Sequence, residues 1–224
     1  MSDTLTLTSL PLFPLGSLLY PGGTLPLQIF EVRYLDMIGK CHKSGAPFGV
    51  VSLTEGNEVR QRNAGSSQEA ASPGDGFVNE VFNNVGTLAH ITEFAVPQPG
   101  LMVITCVGAQ RFEIARREKL KHGLWIADVT CLASDQTIPI PEDLQRTANA
   151  LGNVIQSLQL RGVTAAQMPM RAPYQLDDCS WVANRWCELL PIPPDLKQRL
   201  LVLDNPLLRL ELVSDILDRT GIAT

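Results

Sequence analysis

The sequence predicts an α+β fold, with a β-rich first subdomain over residues 1-134 and a helical second one over 135-224. Three observations carry this. Up to Cys131, period-2 alternation and short apolar runs closed by Pro or Gly dominate, which is how strands and tight turns read. Ile138-Pro139-Ile140-Pro141 then reads as a stiff connector, and beyond it apolar residues recur at helical spacing between recognisable caps.

Thr4 to Leu10 alternates hydroxyl and leucine, the pattern of a strand with one wet face and one buried face. Leu12-Phe13, Leu18-Leu19-Tyr20 and Leu25 to Phe30 read as brief extended segments. Sharp turns at Pro14-Leu15-Gly16 and Pro21-Gly22-Gly23 separate them, as at the corner of a small barrel. From Glu31 to Ser44 the period becomes helical, with Tyr34, Leu35, Ile38 and Cys41 on one face and Gly45 placed to end the helix. Phe48 to Leu53 is a strand, and residues 55–80, which lose apolar periodicity and collect Gly and Ser, read as a long mobile hairpin insertion. Val85 to Phe94, Leu101 to Val107, Phe112 to Ala115 and Leu124 to Cys131 complete a meander.

The helical part has four segments. Glu142 to Leu160 carries Leu144, Ala148, Leu151, Ile155 and Leu158 on one face. Asp177 or Asp178 caps a helix running to Leu190, Pro194 suits the first turn of one reaching Leu203, and Asn205-Pro206 opens a last one closed by Gly221. Four helices with short links pack as a small bundle or as a cap on the barrel.

Composition narrows the function. A net charge of -5 argues against a grip on phosphate backbones, which needs a basic face that releases counterions. Five cysteines without a Cys-x-x-Cys pair read as reduced, buried thiols. The uncharged stretch between Asp3 and Glu31 is too broken by Pro and Gly to span a membrane, and no basic n-region precedes it, so a soluble cytoplasmic protein is expected. His42, His90 and His122 belong to no zinc pattern, and neither a phosphate-binding glycine loop nor Gly-x-Ser-x-Gly is present. No cofactor, no metal and no catalytic residue is expected; a hydrolase assembled from distant residues is the one enzyme class that these motif tests do not reach.

The densest information lies in Leu10-Pro-Leu-Phe-Pro-Leu-Gly16, Leu19-Tyr-Pro-Gly22 and Leu25-Pro-Leu-Gln-Ile-Phe-Glu31, followed by Arg33-Tyr34. On a purely structural reading, Pro and Gly set turns, the apolar residues fill a core, and Glu31 with Arg33 is a helix-start carboxylate beside a surface cation. On a functional reading, the turns leave part of this apolar surface in a groove that captures extended or hydrophobic polypeptide.

Together with Val85-Gly86-Thr87, Gly108-x-x-Arg111-Phe112-x-Ile114, Leu189-Leu190-Pro191-Ile192, Lys197-Gln198-x-Leu200-Leu201 and Arg209-Leu210-x-x-Leu-Val, these pieces resemble the N-terminal, substrate-binding domain of the ATP-dependent Lon protease over most of the chain. The resemblance implies a pseudo-barrel similar to the PUA fold followed by a helical bundle. It also implies a stand-alone module, because Lon's ATPase and protease parts do not follow Thr224. The expected function is a non-catalytic polypeptide- or protein-binding module in protein quality control. Its partner is an unfolded polypeptide or a folded protein, with the partner-binding residues Phe30, Glu31, Arg33 and Tyr34, an exposed aromatic anchoring the peptide and the charges orienting its backbone. RNA binding is the alternative that PUA-like barrels bring in, through Arg60, Arg62, Arg116, Arg117, Lys119 and Lys121, and the acidic charge balance counts against it.

Overall fold

The computed structural model describes residues 5–55, 80–165 and 167–222. The β-rich part comprises β1 (Thr6–Leu15), β2 (Thr24–Ile29), α1 (Val32–Ser44), β3 (Phe48–Glu55), β4 (Val81–Phe82), β5 (Val85–Gln98), β6 (Leu101–Lys119) and β7 (Trp125–Cys131). A 3-10 turn (Glu142–Leu144) leads into α2 (Gln145–Leu160), α3 (Cys179–Leu189), α4 (Pro194–Val202) and α5 (Pro206–Thr220). Most of the predicted hairpin insertion, residues 56–79, lies outside the described residues.

Strands pair in the order β1-β7-β6-β5-β3, and a parallel β1–β3 pairing closes the ring into a five-stranded barrel. Along β6, β5 occupies one side; the other is shared by β2, opposite Met102 to Val107, and β7, opposite Phe112 to Lys119. The helix α1 packs Tyr34, Met37, Ile38 and Cys41 onto the barrel core beside Phe13, Phe48 and Ile104, and Gly45 ends it at φ 68°, the left-handed conformation glycine adopts without strain.

Three sequence readings change here. The break expected after Leu10 does not exist, and the turn expected at Pro14-Leu15-Gly16 begins only at Gly16: β1 runs through both prolines. Pro11 lies where only β7 pairs with β1 and Pro14 where only β3 does, so each missing N–H falls where one edge of the strand is unused. Likewise Leu101 to Val107 and Phe112 to Ala115 are one strand. Gly108 does not break it; a Cβ there would sit 2.2 Å from the Tyr20 carbonyl oxygen, so glycine permits the 18–23 loop to lie against β6. Leu18-Leu19-Tyr20 is part of that loop rather than a strand.

Two of these helices, α3 and α5, open on side-chain caps. The Asp178 carboxylate accepts the N–H groups of Ser180 and Trp181, and the Asn205 amide oxygen those of Leu207 and Leu208. The helices share a core of Leu151, Val182, Trp186, Leu210 and Leu217, into which the barrel loop inserts Tyr20; its hydroxyl donates to the Lys197 carbonyl at 2.6 Å. All five cysteines are buried and free.

A charged cluster ties the parts together. Asp135, just past β7, accepts from Arg209 of α5 at 2.5 and 3.2 Å, from Arg111 of β6 at 3.1 Å and from the Ser180 hydroxyl at 2.8 Å. Burial alone raises the Asp135 pKa, but Arg209, Ser180 and Arg111 outweigh it and hold the carboxyl below the ordinary range. Arg111 also donates to the Leu201 carbonyl at 2.8 Å, which brings α4 into the same junction.

Candidate functional site

The segments singled out in the sequence converge on one side of the barrel. Phe13 and Leu15 at the end of β1, Pro26 to Ile29 of β2, Phe30, Glu31 and Tyr34 surround a groove of about 170 Å³. Four consecutive β2 residues line it, and consecutive strand residues alternate between faces, so the groove follows the edge of β2 rather than one of its faces. Among the described residues β2 pairs with β6 alone, so this edge has no strand partner. Pro26, without an N–H, is exposed there, as proline is on edge strands. The space equals that of about five or six liquid waters, room for one apolar side chain.

The groove is floored by packed rings and carries one exposed ring, Phe30, at its rim. Phe13 and Tyr34 stack with centroids 4.1 Å apart, and both are nearly buried. By contrast Phe30 is 53% exposed and Val32 81%. Of the four residues named from sequence, Phe30 is therefore the aromatic at the surface, while Tyr34, 2% exposed, is part of the floor. The sequence carries no sign of Val32's position, because it is the first residue of α1 and points away from the apolar face of that helix.

Arg33 is a clamp rather than a surface cation. Its guanidinium is buried 4.3 Å above the Tyr34 ring, donates to the Gly123 carbonyl at 2.8 Å, and pairs with Glu31 at 3.1 Å and Glu80 at 2.9 Å. Glu80 also accepts from the Trp125 indole at 2.7 Å and lies 3.2 Å from Lys119. Burial by itself raises the Glu80 pKa, but the hydrogen bond and charge of Arg33, with Trp125 and Lys119, hold it below the usual carboxylate value. Burial acts to lower the Arg33 pKa, and Glu80 with its neighbours reverses that into a rise. The pair is thus ionised and locks the start of α1 against the β6–β7 end of the barrel. Glu31 is both the N-cap residue, its carbonyl accepting from Tyr34 and Leu35, and a partner of this clamp. Sequence reasoning missed Glu80, Gly123 and Trp125, which no local pattern connects to Arg33.

Chemically the lining offers apolar surface, one engaged carboxylate, the Gln28 amide and a phenol, and no serine, cysteine, histidine or lysine. The basic residues proposed for RNA are partly engaged: Arg117 stacks on Phe82 at 4.7 Å, Lys119 lies 5.2 Å from the Trp125 ring, and Arg60 and Arg62 are outside the described residues. No cluster of metal-ligating residues occurs among the described residues, and no helix among them is long and apolar enough to cross a membrane.

Comparison with known proteins agrees with this architecture. A Lon N-terminal domain protein from Xanthomonas campestris is 29% identical, with TM-score 0.66, and the match covers 93% of this chain and 98% of that one. The N-terminal domain of Mycobacterium avium complex Lon protease shares the fold at 16% identity and TM-score 0.57, covering 95% of this chain and 98% of that one. No curated protein matches the chain. The family model of the ATP-dependent protease La (LON) substrate-binding domain matches residues 9–219, and the chain belongs to that family.

Proposed function

We propose that this protein is a non-catalytic polypeptide-binding module that holds extended, apolar segments of unfolded chains, in the service of protein quality control and without ATPase or peptidase chemistry of its own. One observation carries the reading: the edge of β2, unpartnered among the described residues, runs beside a groove with a packed aromatic floor and the exposed ring of Phe30 at its rim. An extended client adds main-chain hydrogen bonds along β2, seats one apolar side chain in the groove and packs another on Phe30. Because the Arg33–Glu80 clamp sets the floor before binding, little ordering cost falls on the module. Membership in a substrate-binding family supports the reading, as does a lining without nucleophiles.

Fluorescence anisotropy of a labelled, permanently unfolded polypeptide tests it, with a natively folded protein of similar charge as control. Saturable binding of the unfolded chain alone is expected. Equal retention of both, or of neither, overturns the reading, and binding of one folded protein in place of unfolded chains makes the domain a docking module.

A further inference from the structure

Another cavity, of about 420 Å³, lies at the start of β2. Thr24 lines it on the β2 side and Gly16 to Leu18 on the β1 side, while Leu189 and Ile192 close it from the helical part. The smaller groove takes Leu15 and Pro26 from the same two stretches of chain. Leu15 and Gly16 are consecutive and Thr24 and Pro26 are two apart, so the two cavities stand end to end in one gap, between residues 13–18 and 24–31.

The walls of this gap are strand edges. Beyond Leu12, β1 pairs with β3 alone, and β2 pairs with β6 alone, among the described residues. The ladder decides which β2 groups face the gap. Gly108 of β6 turns both main-chain groups toward β2, donating to the Gly23 carbonyl at 2.9 Å and accepting from the Gly22 N–H at 2.8 Å. That orientation alternates along an antiparallel strand, so Cys106, Ile104 and Met102 face β2 as well and bond their register partners Leu25, Leu27 and Ile29. Thr105, between them, turns its carbonyl to the Thr92 hydroxyl of β5 at 3.0 Å. Thr24, Pro26 and Gln28 therefore present their main-chain groups to the gap. An extended polypeptide is the occupant whose own repeating donors and acceptors complete such an edge.

The second cavity also holds polar groups with capacity to spare. Thr24 Oγ1 is buried without a hydrogen-bond partner among the described residues. Lys197 Nζ makes one hydrogen bond there, to the Glu188 carbonyl at 3.2 Å, while the Glu188 carboxylate is taken by Arg185 at 2.8 Å. Leu18, Leu189 and Ile192 make the rest of the lining apolar, and the space is more than twice that of the groove. An aromatic ring with a hydroxyl at its tip matches both features.

We propose that the two cavities form one bipartite client site, in which an extended segment on the β2 edge seats an apolar side chain in the groove and a tyrosine, four residues along, in the second cavity. The proposal rests on the polypeptide-holding reading above and adds a spacing and a residue type to it. Thr24 and Gln28, one at each cavity, are four residues or about 13 Å apart along the strand. The separation is even, so the two side chains leave an added strand on the same face. The tyrosine ring packs on Leu189 and Ile192, and its oxygen accepts from Lys197 and gives Thr24 Oγ1 a partner.

The test is fluorescence anisotropy of short labelled peptides with the intact protein. A leucine and a tyrosine stand three, four or five residues apart, in either order, in an otherwise identical Gly/Ser/Thr background, and a leucine-only peptide is the reference. In one order, the four-residue spacing should bind roughly tenfold or more tighter than the other two, and phenylalanine in place of tyrosine should weaken it by roughly fivefold, the effect of one neutral hydrogen bond. Ser17→Trp, at an exposed position on the mouth of the second cavity, should reduce the four-spaced peptide to the level of the leucine-only one and leave the latter unchanged. Equal affinity at all three spacings, with unfolded polypeptide still bound, overturns the bipartite site and leaves the β2-edge reading standing; loss of binding by the peptides and the unfolded polypeptide alike overturns both. Equal binding of the tyrosine and phenylalanine peptides overturns the contact to Lys197 and Thr24.

Discussion

Replacing Asp135 by Ala removes the one buried acceptor shared by Arg209 and Arg111, whose side chains are 1% and 2% exposed. Breaking a buried ion pair by deleting one partner costs about 3–5 kcal/mol, because the charge left behind has neither water nor counterion. In a chain of this length each kcal/mol moves the melting temperature by about 2–4 °C, so Asp135→Ala should melt about 6–20 °C lower. Asp204→Asn is the control: that carboxylate reaches the same Arg111 but is 84% exposed, and its loss should cost no more than about 1 kcal/mol. Differential scanning calorimetry with parallel urea melts measures both. The pH dependence has a definite sign. A carboxyl held below its ordinary value of 3.8 stabilises the fold above that value and loses the contribution as pH falls through its depressed one, so the gap between wild type and Asp135→Ala should close only in strong acid. Because Asp135 joins β6, α3 and α5, barrel and helices should also unfold together in both proteins. An Asp135→Ala cost below about 1 kcal/mol, equal to that of Asp204→Asn, would refute the claim that this junction is dry and charge-balanced.

Three further outcomes are expected. Gly108→Ala, whose new Cβ would lie 2.2 Å from the Tyr20 carbonyl oxygen, forces backbone apart and should cost about 1–3 kcal/mol in urea melts, whereas Gly100→Ala, with nothing within 4 Å but a φ of 81°, should show only the smaller strain of a left-handed alanine. Glu188, whose carboxyl burial pushes up to about 7 against the opposing pull of Arg185, binds its proton more tightly folded than unfolded between 4.5 and that value. Its ionisation therefore removes stability as pH rises through this window, and the stability of Glu188→Gln relative to wild type should climb by up to about 3 kcal/mol from pH 5 to 8; a flat difference contradicts this. Phe30→Ala combined with Val32→Ala, both at exposed positions, should weaken unfolded-polypeptide binding roughly tenfold or more in the anisotropy assay while shifting the melting temperature by no more than about 2 °C.

What was legible in the sequence was local chemistry. Asp178, Asn205-Pro206, Pro194 and Gly45 mark helix ends because caps act within a few residues, and each stands where the residue pattern puts it. Proline misled where tertiary pairing decides: Pro11 and Pro14 sit on unused strand edges, so marks of interruption belong to a continuous strand, while β6 runs unbroken through Gly108 under a crossing loop. At the candidate groove the two apolar motifs flanking Leu18 to Thr24 do meet, and Phe30, Glu31 and Tyr34 line the space between them. Arg33 serves from below, through Glu80 and Gly123, partners brought by strand pairing rather than by spacing. Arg111 stood out in a sequence motif, but its use depends on Asp135, Arg209 and the α4 carbonyls, a meeting of four chain segments that no one-dimensional pattern encodes.

The claim that the β2 edge and its groove hold extended polypeptide is tested most directly by locating bound client on the protein. With ¹⁵N-labelled protein titrated by a permanently unfolded polypeptide, the account predicts saturable shifts concentrated at Leu15, at residues 26–32 and at their β6 partners Met102 to Thr105. Saturable binding that leaves those residues unmoved and perturbs the helical surface instead would contradict it.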